Sequence, residues 1–194
     1  MRGGTRTAGW VVVAGAVGAL AFAACQSERN VAPASIHDAH DATTISAATA
    51  DNIEDLLQVV RRVTQPFADF NAAFAAGYNA QLTPCMENPP VGGMGFHYGN
   101  VGLIDGVVQA LKPEILLYEP QQNGTLLFVG VEYVVPYTAW TKPHPPAIAG
   151  VAFHRNDAFG LWVLHAWVAK PNPSGTLFDW NPRVSCRFAT SINK

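Results

Sequence analysis

The fold of this chain is constrained most by two apolar segments that each contain a single acidic or basic side chain. Leu126–Val135 (LLFVGVEYVV) contains only Glu132, and Leu161–Ala169 (LWVLHAWVA) contains only His165. Runs of this length, rich in β-branched and aromatic residues, are typical of buried β-strands. Because burial of an unpaired acid or imidazole costs several kcal/mol, any fold of these strands must give both residues a partner.

Turn signals place each apolar segment in a predicted hairpin. Glu114–Glu119 precedes the first segment across a turn that contains an Asn-Gly pair, and Ile148–His154 precedes the second across residues 155–160. Residues 136–146, between the two hairpins, are Pro-rich and are predicted to form a loop.

A helix is predicted ahead of the strands, over residues 51–77. Its apolar stripe has helical spacing and is expected to face the core, and Pro66 predicts a kink or a break. The stripe comprises Val63, Phe67, Phe70 and Phe74. One helix followed by about five mostly antiparallel strands predicts an α+β fold with a strongly curved sheet or a small barrel.

The first 24 residues have the pattern of a bacterial lipoprotein signal peptide. Arg2 and Arg6 precede an uncharged run, Trp10–Ala24, that is shorter than the roughly 20 residues of a membrane-spanning helix. The run ends Phe-Ala-Ala before Cys25, which resembles a lipobox and makes Cys25 the predicted lipidation site. The alternative is an ordinary secretory signal that is cleaved nearby.

The segment after the signal differs from the rest of the chain. Residues 25–50 are rich in Ala, Ser, Thr and Asp without apolar periodicity, which predicts a flexible tether. Residues 51–194 are then predicted to form one α+β domain. The expected location is extracytoplasmic, on the periplasmic side or the cell surface, with the membrane as a partner through lipidated Cys25.

Cysteine usage supports an oxidising compartment. With Cys25 lipidated, Cys85 and Cys186 remain, and an even pair outside the cytoplasm predicts a disulfide. The alternative, a thiol nucleophile or metal ligand, is weaker because neither cysteine has another Cys or a His within two to four residues.

Charge argues against nucleic acid as a partner. The chain has 12 basic and 14 acidic residues, and removal of Arg2 and Arg6 leaves 12 − 2 = 10 basic residues, a net charge near −4. Nucleic-acid binding depends on a basic surface that displaces counterions from phosphates.

Strand alternation predicts a polar cluster on one face of the sheet. Glu132 and His165 each lie among apolar neighbours, and His97 follows the glycine cluster of residues 92–95 in a short strand. Two histidines and a carboxylate form a common ligand set with open positions. His97, Glu132 and His165 are therefore predicted ligands of a divalent transition metal, with no other cofactor predicted.

Two further interpretations of the cluster stay open. In one, a metal-free pocket binds a small molecule through Tyr98, Glu132 and Trp167. In the other the cluster is purely structural, and Glu132 pairs with Tyr98, Tyr118 or Arg183. No catalytic residue is predicted, because the chain lacks a GxSxG motif and its glycine cluster lacks the context of a phosphate-binding loop.

Two other histidines are set apart from the cluster. If residue 154 pairs with about 161, His154 lies roughly 13 Å from His165, too far to share an ion. His144, in the Pro-rich loop, is predicted to lie on the surface.

Five segments together resemble a family of uncharacterised secreted bacterial proteins and lipoproteins. They are GGMGFHYGN (92–100), PEILLYEP (113–120), VGVEYVVP (129–136), LHAWVAKPNPSG (164–175) and FDWNPRVSC (178–186). The resemblance covers about residues 55–186 and implies membership, but it implies no reaction because no activity is assigned to that family.

These observations lead to three hypotheses of function. The first is a lipid-anchored extracytoplasmic domain that binds a small ligand or a metal ion in a His/Glu/aromatic pocket. The second is a metal-dependent enzyme that acts on a small organic substrate. The third is a structural or interaction lipoprotein of the cell envelope, with the 136–146 loop and Trp140 as its contact surface.

Overall fold

The helical part of the chain begins earlier than predicted and is interrupted at Pro66. The computed structural model describes residues 42–189, so the predicted signal peptide, Cys25 and most of the tether lie outside the described residues. Helix α1 spans Ala42–Thr64 and therefore includes the last residues assigned to the tether. A 3-10 turn, Gln65–Ala68, and helix α2, Phe70–Ala75, follow. No helix within 42–189 combines the length and the apolar character needed to cross a bilayer.

Helix α1 packs on the sheet through a different stripe from the one predicted. Val63 and Phe74 are 41% and 52% exposed, whereas Phe67 and Phe70 are partly buried. Among the described side chains of α1, from residue 52 onward, the buried ones are Ile53, Leu57, Val60 and Thr64. Because Pro66 cannot continue the α-helical hydrogen bonding, residues on its two sides do not share one helical face.

The rest of the described chain is a mostly antiparallel sheet, which confirms the α+β class. The strands are β1 (Ala80–Gln81), β2 (Met86–Asn88), β3 (Gly92–Gly99), β4 (Ile115–Pro120), β5 (Leu126–Pro136), β6 (Ala147–Ile148), β7 (Val151–Ala152), β8 (His154–Asn156) and β9 (Leu161–Ala166). The main sheet has the order β1-β3-β4-β5-β9-β8 with β2 also on β3, and β6 and β7 form a separate ribbon.

The main sheet is open within residues 42–189. Its edge strands β1 and β8 do not pair with each other there, so the small barrel of the sequence analysis is not formed. The strand count exceeds the expected five because β1, β2, β6, β7 and β8 have only two or three residues each, too few to give a periodic signal. The predicted strand Ile148–His154 is divided among β6, β7 and β8.

The two faces of the sheet carry separate cores. Helix α1 covers the face that contains Tyr98, Tyr118 and Tyr133. The opposite face contains Leu117, Val134, Val163 and Trp167, and Val184 of the C-terminal segment packs on it. A bulge in β5 changes the alternation, because Leu117 pairs with Gly130 while Tyr118 pairs with Phe128. Phe128 consequently lies on the face that helix α1 covers, whereas Glu132, four residues later, lies on the opposite face.

The glycine cluster in β3 allows the C-terminal segment to approach the sheet. Gly93 exchanges two backbone hydrogen bonds of 3.0 Å with Asn181, which is fully buried. A Cβ on Gly93 would lie 2.7 Å from the carbonyl oxygen of Val184, and one on Gly92 would lie 2.4 Å from the Asn181 carbonyl. The role of these glycines is close backbone packing.

The predicted disulfide between Cys85 and Cys186 is confirmed. Its Cα atoms are 5.7 Å apart, and it joins residues separated by 101 positions. Together with the pairing of Asn181 and Gly93, the disulfide ties the C-terminal segment to the sheet.

We expect the double variant Cys85→Ala/Cys186→Ala to lower the free energy of unfolding by about 3–5 kcal/mol, because the unfolded chain gains the freedom of a 101-residue loop. Urea denaturation followed by circular dichroism measures the change. A reducing agent should destabilise the unmodified chain by a similar amount and leave the double variant unchanged. Equal unfolding midpoints for both chains in non-reducing buffer would contradict this role.

Candidate metal centre

Three different strands bring the predicted ligands to one face of the sheet. His97 lies on β3, Glu132 on β5 and His165 on β9. Glu132 and His165 are directly opposite in the β5–β9 pair, and Glu132 also pairs with Ile115 of β4. His97 pairs with Leu117 of β4, so its imidazole reaches Glu132 diagonally across that strand.

The three side chains converge, as the metal hypothesis requires. His97 Nε2 lies 3.6 Å from Glu132 Oε2, and His165 Nε2 lies 3.7 Å from Glu132 Oε1. One ligand atom from each residue lies within 4.8 Å of the other two. All three residues are buried, with exposed fractions of 5%, 5% and 2% for His97, Glu132 and His165.

The outer nitrogen of each imidazole has its own partner. His97 Nδ1 lies 2.9 Å from the Thr83 hydroxyl, and His165 Nδ1 lies 3.1 Å from Asp179 Oδ1. An ionised carboxylate can only accept, so the contact with Asp179 places a proton on His165 Nδ1. The Nε2 atom of a neutral His165 then presents a lone pair to the site.

Among the described residues, the Nε2 atom of His165 is a buried nitrogen without a hydrogen-bond partner. The Glu132 carboxylate lies 3.7 Å from it, and an ionised carboxylate is also only an acceptor. Lone pairs from an imidazole and a carboxylate therefore face each other, which calls for a cation, either a proton or a metal ion, between them.

Burial governs the pKa values of the centre. It raises the pKa of Glu132, against the opposing effect of His165. Burial, aided by the nearby His165, lowers the pKa of His97 to about 3. Burial also acts to lower the pKa of His165, but the carboxylates of Glu132 and Asp179 outweigh it and raise the value. In the metal-free chain these pKa shifts disfavour a proton on His97 and favour one on Glu132 and on His165.

A pocket of about 170 Å³ opens above the three ligands. His97, Glu132, His165 and Asp179 line its polar part, together with Thr83 and Asn156. Apolar side chains form most of its wall. They include Leu82, Met86, Met94, Phe159, Leu161 and Trp180.

Asp179, which no sequence pattern singles out, contacts both His165 and His154. Asp179 Oδ1 contacts His165 Nδ1, while Asp179 Oδ2 contacts His154 Nε2 at 3.1 Å. His154 pairs with Val163 and not with residue 161, because the hairpin loop has four residues and not six. This shift of two positions brings His154 near His165, although His154 is not among the three ligands within 4.8 Å of one another.

Tyr98 and Trp167 do not lie where the pocket hypothesis expects them. Neither is among the pocket residues of the described chain. Tyr98 follows His97 and so points to the helix side, where its hydroxyl donates to Gln81 at 3.2 Å. Trp167 is buried on the site face, and its indole nitrogen donates to the carbonyl of Phe178 at 2.6 Å.

The structural partners considered for Glu132 are engaged elsewhere. Tyr118 donates to the carbonyl of Phe67 at 2.7 Å, and Arg183 is exposed. With Tyr98 on the other face, Glu132 faces the two histidines.

The Pro-rich loop lies apart from this centre. His144 is exposed as predicted, and its carbonyl accepts from the Trp140 indole at 2.6 Å. The Lys142 ammonium lies 4.7 Å from the Trp140 ring centre. A role for this loop in protein interaction stays a prediction.

The chain matches no family model, no curated protein and no solved structure, so residues and geometry alone carry the interpretation of the site.

We expect the His97 imidazole of the metal-free chain to stay neutral well into the acid range, because burial lowers its pKa to about 3. The unfolded chain protonates this residue near 6.5, so the folded state binds fewer protons between these values. His97 therefore reduces stability as pH falls through this window, by about 1.4 kcal/mol per pH unit.

Proton NMR of the histidine rings checks this expectation. One ring signal should keep its chemical shift from about pH 8 to about pH 4.5, and this signal should be missing from the His97→Gln variant. A His97 signal that titrates near its ordinary pKa would overturn the expectation.

Proposed function

We propose that this chain is a lipid-anchored, extracytoplasmic domain that binds one divalent transition-metal ion through His97, Glu132 and His165. The observation that carries the proposal is the buried Nε2 atom of His165, which lacks a hydrogen-bond partner among the described residues and faces the Glu132 carboxylate. A metal ion would accept the lone pairs of both groups and of His97 Nε2.

The separations within the cluster are close to those of a metal site. Tetrahedral ligands at 2.0–2.1 Å from zinc lie about 3.3 Å from one another. The two histidine–glutamate separations, 3.6 and 3.7 Å, run to different oxygens of Glu132, and one ligand atom from each of the three residues lies within 4.8 Å of the other two. Side-chain movements of up to about 1.5 Å would therefore bring the three ligands to tetrahedral separations.

The contacts of the outer ring nitrogens, His97 Nδ1 and His165 Nδ1, also support a metal-binding role. Metal-binding histidines normally donate their second ring N–H to a carboxylate or another oxygen, which fixes the ring and its tautomer. Asp179 supplies that oxygen to His165, and the Thr83 hydroxyl supplies it to His97. Imidazole nitrogens with one carboxylate favour zinc, iron, nickel or copper over magnesium or calcium.

The proposed location rests on the cysteines. Cys85 and Cys186 form a disulfide, which is the usual state of such a pair in an oxidising compartment. Cys25 follows a short apolar run in the lipobox pattern, which supports a lipid anchor for the domain.

A second candidate function is a metal-dependent enzyme that acts on a small organic substrate. It is favoured by the number of ligands, since three protein ligands leave at least one position open to water. That position faces the pocket that His97, Glu132 and His165 line. A bound metal would lower the pKa of the water and supply a nucleophile.

We expect the purified full chain to bind about one equivalent of Zn²⁺ or Co²⁺, measured by elemental analysis after dialysis and by calorimetric titration. His165→Gln and Glu132→Gln should each weaken binding at least about 100-fold, because each removes one of only three ligands. His144→Ala removes an exposed imidazole away from the site and should bind like the unmodified chain.

Circular dichroism shows whether each of these variants is folded. Metal content that is equal in the unmodified chain and in folded His165→Gln would place the ion elsewhere. An unmodified chain that binds no ion would overturn the proposal.

We expect Asp179→Asn to weaken metal binding by about 10–100-fold without loss of the bound equivalent at saturating metal. The amide keeps the size of the side chain but removes the charge that polarises His165 Nδ1. Asp157→Asn is the matched control, since Asp157 contacts Arg155 and Tyr137 on the surface. Equal affinities for the two variants would show that Asp179 does not support the metal ligand.

A further inference from the structure

The pocket above the centre is the size of one small ring. Its volume is about 170 Å³, and an apolar cavity of about 150 Å³ is known to hold benzene. The pocket therefore has room for one benzene-sized group, with little space for a larger apolar body.

The wall of the pocket favours an aromatic group. Met86 and Met94 supply thioether sulfurs, and Phe159 and Trp180 supply aromatic rings. Sulfur–aromatic and edge-to-face aromatic contacts each add roughly 0.3–1.5 kcal/mol to the burial of a ring. Phe159, at the tip of the hairpin loop, is 58% exposed and would be covered by a ring at the pocket mouth.

The charge of the pocket favours a single negative group on the ligand. Its lining, within the described residues, includes no Lys or Arg. A divalent ion bound by Glu132 and two neutral histidines carries a net charge of 2 − 1 = +1, which one carboxylate neutralises. The Asp179 carboxylate also lines the pocket, but its side chain is 31% exposed, so solvent screens its charge more than that of the buried Glu132. A second charge on the ligand would be buried without a partner.

Building on the proposed metal centre, we infer that the pocket binds an aromatic monocarboxylate of about the size of benzoate. The carboxylate takes the open position on the metal ion in place of water, and the ring lies between the methionines, Phe159 and Trp180. Thr83 and Asn156 provide neutral polar groups beside the carboxylate.

The test uses the full chain loaded with Co²⁺ and titrated with benzoate, while the visible absorption of the cobalt ion and calorimetry are recorded. Benzoate should change the cobalt spectrum and bind at least about tenfold tighter than acetate, which has the same head group without the ring. Benzylamine, with a ring but a positive charge, and 1-naphthoate, with too large a ring, should leave the spectrum unchanged. The metal-free chain should bind benzoate at least about tenfold more weakly.

Two variants test whether the aromatic ring of the ligand binds in the pocket. Phe159→Ala should weaken benzoate binding several-fold while the affinity for Co²⁺ stays the same. Phe178→Ala, which removes a similarly exposed phenyl group outside the pocket, should leave benzoate binding unchanged.

The outcomes separate this inference from the proposed function. If Co²⁺ binds but acetate and benzoate bind equally, or benzoate leaves the cobalt spectrum unchanged, the ligand class is wrong and the metal centre stands. Equal effects of Phe159→Ala and Phe178→Ala would also overturn the proposed position of the ring. If the chain binds no Co²⁺, the metal centre and the ligand inference both fall.

Discussion

The contact of one buried carboxylate with two imidazoles is the interaction on which the functional interpretation depends. Glu132 is almost fully buried in a strand that is otherwise apolar, and one of its oxygens faces His97 while the other faces His165. An isolated carboxylate at this depth would be strongly destabilising. The sheet face opposite helix α1 is arranged to avoid that cost, because β3, β5 and β9 each supply one member of the cluster.

The convergence of His97, Glu132 and His165 could be predicted from sequence because it follows from local rules. Strand alternation assigns each residue to a face, and the cost of burying a polar group requires partners on that face. Asp179 could not be found in this way, since its segment is irregular and has no periodicity. Its position depends on distant contacts, namely the Asn181–Gly93 pairing and the disulfide. The position of His154 depends on a loop length that composition does not determine.

Several expectations that differ from the structure concern which face of the sheet or of the helix a residue occupies. Tyr98 was predicted to line the same pocket as Glu132, yet it directly follows His97, and adjacent strand residues point to opposite faces. The bulge that moves Phe128 to the helix side, and the break at Pro66 that separates Phe74 from the stripe on α1, are local interruptions of a periodic pattern. Periodicity predicts the number and type of the long elements well. After each such interruption, however, it assigns the following residues to the wrong face.

Protons and a metal ion compete for the same lone pairs in this centre. Burial together with His165 keeps His97 free of a proton over most of the accessible pH range, so this ligand is ready for a metal at no cost in deprotonation. The raised pKa values of Glu132 and His165 favour protons on the two groups whose lone pairs a metal ion would take. Metal binding therefore competes with protonation of these residues, and affinity should fall as the pH is lowered. Since Asp179 raises the pKa of His165 and also strengthens it as a ligand, the same contact stabilises the metal-free and the metal-bound states.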